Sequence, residues 1–359
     1  MRALALVTDA FGGLGGIARY NQDLILALAQ SSHVSEIVVL PRFAASVPEV
    51  PAKVRQVAPS ADRVTWSARA LALAARQRTD AVFCGHLNAA PLAATIAAIR
   101  RAPLWVQVHG VEAWQRRSGA HHRALLSAAL VTSVSRYTRT RLLGWADLPP
   151  HRLRVLPNTV RPNQLARPSR NDLITRLGLA DRRVILTVGR LSASERYKGH
   201  DRLILALPGI VARVPEVTYL IVGSGDDQPR LKQLAQEAGV GDRVVFAGHV
   251  PDPELPDYFA LADVFAMPST GEGFGIVFIE AAASGLPVIG GNCDGSVDAL
   301  ADGRIGRLIN PNAPAEIEGA LIDALLGHHP VPTGDEETQR FAFARFAAHV
   351  DILVGSLVR

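Results

Sequence analysis

Short runs rich in Val, Ile and Leu alternate with stretches of helical period along most of the chain, and this alternation is what most restricts its fold. Before residue 160 strands are expected at 3–9, 37–40, 81–85, 104–109, 131–135 and 154–157, with helices at 18–30, 62–78 and 90–100. A loop at 161–169, containing two prolines, interrupts the pattern. It then restarts, with strands at 184–190, 218–223, 243–248, 264–268 and 287–290 and helices at 199–214, 229–238, 255–262 and 275–284. Near-continuous apolar strands joined by helices imply a parallel sheet covered on both faces. Doing this twice implies an α/β protein of two doubly wound, Rossmann-like domains, 1–163 and 164–335, with a final helical segment, 336–359, returning to the first. Ligands of such sheets bind outside the carboxyl ends of the strands, so a cleft between the two domains is the expected site.

Composition removes several classes. With 48% hydrophobic and 20% charged residues, the 359-residue chain has material for packed cores and is neither disordered nor fibrous. Cys84 and Cys293 stand far apart without a CxxC, so neither a disulfide framework nor structural zinc is expected. No apolar run approaches the roughly 18 residues of a spanning helix, and the start is too short in apolar residues for a secretion signal. A soluble, cytoplasmic protein is expected.

Charge is divided unevenly. Residues 1–163 hold 20 Lys and Arg against 8 Asp and Glu, a net of +12, and residues 164–359 hold 18 against 25, a net of −7. An anionic partner for the first half follows: a membrane surface, a phosphate-bearing substrate or nucleic acid. Nucleic acid is the weakest of these, because no recognition motif accompanies the charge. A solvated basic face is the plain alternative.

Strand ends carry the residues with chemistry. The first leads into Phe11-Gly-Gly-Leu-Gly-Gly16 and a helix, where close backbone approach and free amides suit a phosphate, though a tight turn reads equally well. The spacing is not GxGxxG and no acid follows the second strand, which disfavours a nicotinamide dehydrogenase. In the second half Arg190 ends a strand and Lys198 precedes a helix. The two cations either converge on one anion, fork and point charge, or are separate surface residues. In Pro268-Ser-Thr-Gly-Glu-Gly-Phe-Gly-Ile-Val-Phe-Ile-Glu280, Glu272 lies in a turn and Glu280 is the sole charge of an apolar helix. A buried carboxylate needs hydrogen-bond donors, and ribose hydroxyls would serve. Glu272 would suit sugar hydroxyls, with amides near Gly273, Phe274, Gly275 and Ile276 facing a phosphate.

With these motifs the sequence resembles the retaining GT-B glycosyltransferases of family 4 (group 1). The likeness rests on Gly12–Gly16, Val108-His109-Gly110, Arg190 with Lys198, Gly223-Ser-Gly225, and Glu272-x7-Glu280 followed by Gly285-x-Pro287-Val288. It implies that Arg190 and Lys198 bind a donor diphosphate and stabilise the leaving charge, with Glu272 on the transferred sugar and Glu280 on the ribose. His109 would lie beside sugar and acceptor, Gly15 and Gly16 on the phosphate side, Gly223 and Gly225 among the donor-binding glycines, and the loop with His249, Val250 and Asp252 around the base. Gly295-Ser-Val-Asp298 departs from the family's Gly-x-Pro-Glu. No Asp-x-Asp stands where the family would hold a metal, so a metal-independent, cofactor-free reaction is expected, with retention implied by the resemblance alone.

Asp252 near the base tilts the donor toward GDP-mannose over a UDP-hexose. The basic first domain argues for an anionic acceptor, foremost a lipid-linked diphosphate sugar or glycan in exopolysaccharide or glycolipid synthesis. The segment 112–123, with Trp114, Arg116, Arg117 and Arg123, suits either an anionic membrane surface, at the inner face of the plasma membrane, or an ordinary solvated helix. Two rival functions stay open. One is another GT-B enzyme, an epimerase or a phosphorylase needing a pyridoxal lysine, for which only Lys53, Lys198 and Lys232 exist. The other is a non-catalytic sugar-nucleotide-binding subunit.

Overall fold

A computed structural model describes residues 1–44, 49–161, 171–328 and 335–358. It divides into two units, Met1–Thr159 with Ala342–Arg359, and Val160–Phe341. The expected loop at 161–169 lies, Arg161 apart, outside the described residues.

In the first unit seven strands, β1 (Arg2–Val7), β2 (Glu36–Pro41), β3 (Val54–Gln56), β4 (Ala81–Cys84), β5 (Leu104–Val108), β6 (Leu130–Ser133) and β7 (Leu153–Val155), form one parallel sheet. Their order is β3-β2-β1-β4-β5-β6-β7. Helices cover it, among them Gly16–Gln30, Arg63–Arg76 and the alanine-rich Ala90–Arg100, whose small side chains let it lie close to the strands. Leu6, Leu40, Val82 and Val106 pack with Trp66, Ala90, Ala93 and Ala97. Each large aliphatic side chain buried this way contributes about 1.5–3 kcal/mol.

The second unit repeats the plan with β8 (Arg183–Val188), β9 (Val217–Val222), β10 (Val244–Gly248), β11 (Val264–Met267), β12 (Val288–Gly291) and β13 (Arg307–Ile309), all parallel. The order is β10-β9-β8-β11-β12-β13. Leu203, Leu207 and Ile210 of the helix His200–Arg213 and Leu321 of Pro314–Leu325 pack with Ile185, Tyr219 and Ile221. In both sheets the winding reverses beside the first strand, at β1/β4 and at β8/β11. Such a reversal opens a crevice at the strands' carboxyl ends.

Several strands stop earlier than the sequence suggests. β1 ends at Val7 because the Thr8 carbonyl turns to accept from the amides of Arg42 and Phe43. β8 ends at Val188 and β11 at Met267, since Pro268 has no N–H to continue the ladder. The edge strands β3 and β13, three residues each, were not expected; runs this short show no period. The expected final helix is two, Asp335–Gln339 and Phe343–Val358. The second lies on Gly16–Gln30, with the rings of Tyr20 and Phe346 edge to face at 5.8 Å and Ser31 Oγ donating to Asp351 at 2.5 Å.

Candidate functional site

The chemistry-bearing residues collect at the carboxyl ends of both sheets. In the second unit, β8 runs into Gly189 and Arg190, and a 3-10 turn, Ala193–Lys198, leads through Gly199 into the helix His200–Arg213. From β11 the chain passes through 268–275 into the helix Ile276–Ala283. Tyr197 O accepts from the Thr270 amide at 2.9 Å, tying the two loops together.

Four side chains alternate in sign across this region. Arg190 pairs with Oε1 of Glu195, whose Oε2 lies 3.7 Å from Lys198 Nζ, and Lys198 in turn pairs with Glu272. Arg190 and Lys198 are thus brought together, by way of Glu195. Burial opposes the Lys198 ammonium, but Glu272, Tyr197 and Glu195 outweigh it and hold its pKa above the usual lysine value. Tyr197 is pushed up to about 12, chiefly by burial and then by Glu272.

Glu272 is positioned from outside its own loop. Asp294, 1% exposed, lies in the turn after β12. Its Oδ2 accepts from the Glu272 amide and Ser269 Oγ, both at 2.8 Å, and its Oδ1 from the Ser296 amide at 2.9 Å. Burial raises the Asp294 pKa while these donors oppose the rise. The two loops close on each other through Gly291 and Gly295, where an added Cβ would come 2.1 Å from Ser269 O and 2.2 Å from Gly273 O.

Both helices that open here, at His200 and Ile276, start from glycines with φ of 82° and 83° and no side-chain cap. Two helices elsewhere carry side-chain caps, Arg63–Arg76 from Asp62 and Arg136–Ala146 from Ser135, while others, among them Ala90–Arg100 and Pro314–Leu325, have none. An uncapped start leaves amides and the positive dipole end to an anion. Glu280 in Ile276–Ala283 is 2% exposed, so this carboxylate is interior rather than on a solvated helix face. Phe274, Ile276 and Val250 are buried side chains, Phe274 edge to face with Phe341 at 5.7 Å, so only their main chain is left for a ligand. His249 and Asp252 are exposed in the turn after β10. Gly223 and Gly225 fit against the carbonyls of Gly189 and Leu191, where a Cβ would come within 1.9 and 2.1 Å.

In the first unit Gly15 is the uncapped start of Gly16–Gln30, with Gly16 exposed beside it. The preceding loop is held by side-chain amides: Gln56 brackets Phe11 at both N and O, Asn21 donates to Asp9 O and Gln22 to Ala10 O. Gln56 sits on β3 and was not anticipated. His109, past the end of β5, has Nε2 2.9 Å from Gly85 O and its amide on Glu112 Oε1 at 2.5 Å. Burial lowers its pKa to about 4. A carbonyl can only accept, so the neutral ring carries its proton on Nε2 and presents Nδ1 as an acceptor.

The segment 112–123 is not one helix. A 3-10 turn, Val111–Ala113, precedes Gly119–Ser127. Trp114 donates to Thr138 Oγ1 at 3.1 Å and packs edge to face on Tyr137 at 5.2 Å, so its indole N–H is used within the unit. Arg116, Arg117 and Arg123 are exposed, Arg117 donating to Glu112 O. Among the described residues no helix is long and apolar enough to cross a membrane, and no three His, Cys, Asp or Glu side chains form a metal-binding group.

Residues 170–338 match the family model described as glycosyl transferases group 1, and residues 14–164 match that of glycosyltransferase family 4. A GDP-mannose-dependent alpha-(1-6)-phosphatidylinositol monomannoside mannosyltransferase of Mycolicibacterium smegmatis is 39% identical over 207 residues, 55% of this chain and 53% of that one. A phosphatidyl-myo-inositol mannosyltransferase of Mycobacterium tuberculosis is 35% identical over 229 residues, 63% of this chain and 56% of that one. The matched stretch thus spans about half the length of these curated relatives. Anabaena HepE, crystallised with UDP, superposes with a TM-score of 0.77 at 23% identity over 99% of this chain and 100% of that one. Sucrose-phosphate synthase from Thermosynechococcus elongatus gives 0.78 at 23% over 100% and 99%. At that identity the likeness concerns the fold, which is GT-B. With a family model on each half and this fold throughout, the chain belongs to the group 1 glycosyltransferases.

Proposed function

We propose that this chain is a retaining, metal-independent hexosyltransferase that moves mannose from GDP-mannose to a lipid-linked or glycan acceptor in glycolipid or exopolysaccharide synthesis. The observation that carries the reading is the ion-paired series Arg190, Glu195, Lys198 and Glu272 at the carboxyl ends of β8 and β11, beside two uncapped helix starts.

Breaking a glycosyl phosphate bond leaves negative charge on the departing diphosphate, and fixed positive groups aimed there lower the barrier most. Arg190 supplies a fork, Lys198 a point charge, and the amides at His200 and Ile276 add partial charge. These take the part a cation would otherwise play, which is the ground for metal independence. Glu272 accepts from hydroxyls of the transferred sugar and Glu280 from the ribose. His109, neutral at pH 7, offers Nδ1 as an acceptor on the acceptor side, with Gly15 and Gly16. Retention follows the family resemblance and is assigned to same-face displacement. GDP-mannose is favoured because the mycobacterial relatives named above are mannosyltransferases, one of them GDP-mannose-dependent. The basic first unit, with Arg116, Arg117 and Arg123 exposed, fits an anionic membrane surface at the inner face of the plasma membrane.

The test is product formation by the purified full chain given GDP-mannose, UDP-glucose or ADP-glucose with phosphatidylinositol-bearing vesicles, with and without EDTA. An α-mannosylated lipid formed from GDP-mannose in EDTA supports the proposal. An inverted anomer, strict Mg²⁺ or Mn²⁺ dependence, or turnover of UDP-glucose alone overturns its finer terms.

A further inference from the structure

Resting on that reading, we propose that Glu195 is an internal counter-anion that occupies the diphosphate's place between Arg190 and Lys198 and must be displaced for a nucleotide to bind. Its carboxylate spans the two cations: Oε1 pairs with Arg190 and Oε2 faces Lys198 at 3.7 Å. A phosphate bridging the same two groups would require the same volume and the same donors.

Three features of the chain make Glu195 a removable occupant. Its side chain is only 12% exposed, yet among the described residues Oε2 accepts no hydrogen bond, with Lys198 Nζ at 3.7 Å, beyond hydrogen-bond distance. A buried carboxylate oxygen so poorly satisfied is held weakly. Arg190 is 76% exposed and can swing with an arriving phosphate. Glu195 itself interrupts the 3-10 turn, with φ −117° and ψ 26° in an otherwise helical run, so the turn already bends at the residue that has to move. Lys198 meanwhile keeps Glu272 as a second partner, so losing Glu195 does not leave the ammonium alone.

The chemical consequence concerns affinity and release. A site of two bare cations would hold the nucleoside diphosphate product tightly, and a resident carboxylate lowers that affinity by restoring neutrality as the product leaves. Opposite charges this close attract each other even in water, and more strongly where water is excluded. Removing the Glu195 charge is therefore expected to tighten nucleoside diphosphate binding by about tenfold.

Calorimetric titration of the full chain with GDP, and separately with UDP, tests this at about 50 mM and about 500 mM NaCl. Glu195→Gln and Glu195→Ala should each lower the Kd about tenfold at low salt, with the gain shrinking at high salt. Arg190→Ala and Lys198→Ala should raise it. Weakening by the two cation variants with unchanged or weaker binding by both Glu195 variants overturns the counter-anion role alone. No effect of Arg190→Ala or Lys198→Ala on either nucleotide overturns the diphosphate assignment beneath it. Circular dichroism confirms that each variant is folded.

Discussion

The amide of Glu272 donates to Asp294 Oδ2 at 2.8 Å, so an acid on the turn after β12 holds the main chain of an acid on the turn after β11. Asp294→Asn keeps the shape but puts an NH2 where one oxygen accepts, setting donor against donor at Ser269 and Glu272 or at Ser296. The expected outcome is a fall in kcat/KM of roughly 10- to 100-fold with the secondary structure retained. Steady-state kinetics beside a far-UV spectrum check it, and full activity would remove Asp294 from the positioning of Glu272.

Lys198→Ala deletes the point charge assigned to the leaving group. Loss of one such donor costs about 10²–10³ in kcat, and this is the fall expected in the transfer assay. It should persist at saturating donor, which separates it from a simple loss of binding.

Gln56→Ala removes both hydrogen bonds that bracket Phe11. The buried main-chain N–H and C=O left behind should cost about 1–3 kcal/mol, read as a lowered denaturant midpoint. The loop before Gly16–Gln30 should also become more susceptible to protease.

Two histidines, His200 buried and His109 half-buried, make the fold sensitive to acid. His109 and His200 are each lowered to about 4, burial being the main cause in both. Their folded pKa values lie below the roughly 6.5 of an unfolded chain. Their contribution is therefore complete above pH about 6.5 and is lost as the pH falls toward 4, because the unfolded chain takes up protons first. Denaturant melts between pH 7 and 4 should show the decline. His200→Gln should flatten it, with a full effect of roughly 3 kcal/mol for a shift of this size.

Gly225→Ala places a Cβ 2.1 Å from Leu191 O. Main chain cannot yield as a flexible side chain can, so a loss of about 1–3 kcal/mol is expected, checked by thermal unfolding.

How far the sequence reached can be argued from particular residues. Lys198 and Glu272 were both legible, because a lone lysine before a helix and an acid in a glycine-rich turn each carry their own signal. Arg190 and Lys198 do share a partner, but the partner, Glu195, drew no notice among the charged residues of 190–198. Asp294, followed by Gly295, reads as an ordinary turn residue, and its burial exists only because Gly291 and Gly295 let two loops from different strands touch. Gln56 lies on a three-residue edge strand too short to show a period. Trp114 beside arginines suggested an interface, whereas its indole is turned to Thr138 by the helix Arg136–Ala146, a helix the periodicity did not bring out. Strands alternating with helices depend on local apolar runs and are visible in one dimension; the order of the strands and the clamps between loops depend on which elements the fold brings side by side.

The glycine starts of the helices at Gly16, His200 and Ile276 also bear on engineering. A serine or aspartate installed there would be the usual route to a sturdier protein, since such caps add about 0.5–2 kcal/mol per helix. At Gly15, Gly199 and Gly275, with φ of 86°, 82° and 83°, the backbone would resist the exchange, and at any of the three the new oxygen would compete for the dipole that the proposal assigns to an anionic ligand. Hardening this scaffold is therefore best directed to helix ends remote from the strands' carboxyl edge, where robustness and turnover do not contend for the same amides.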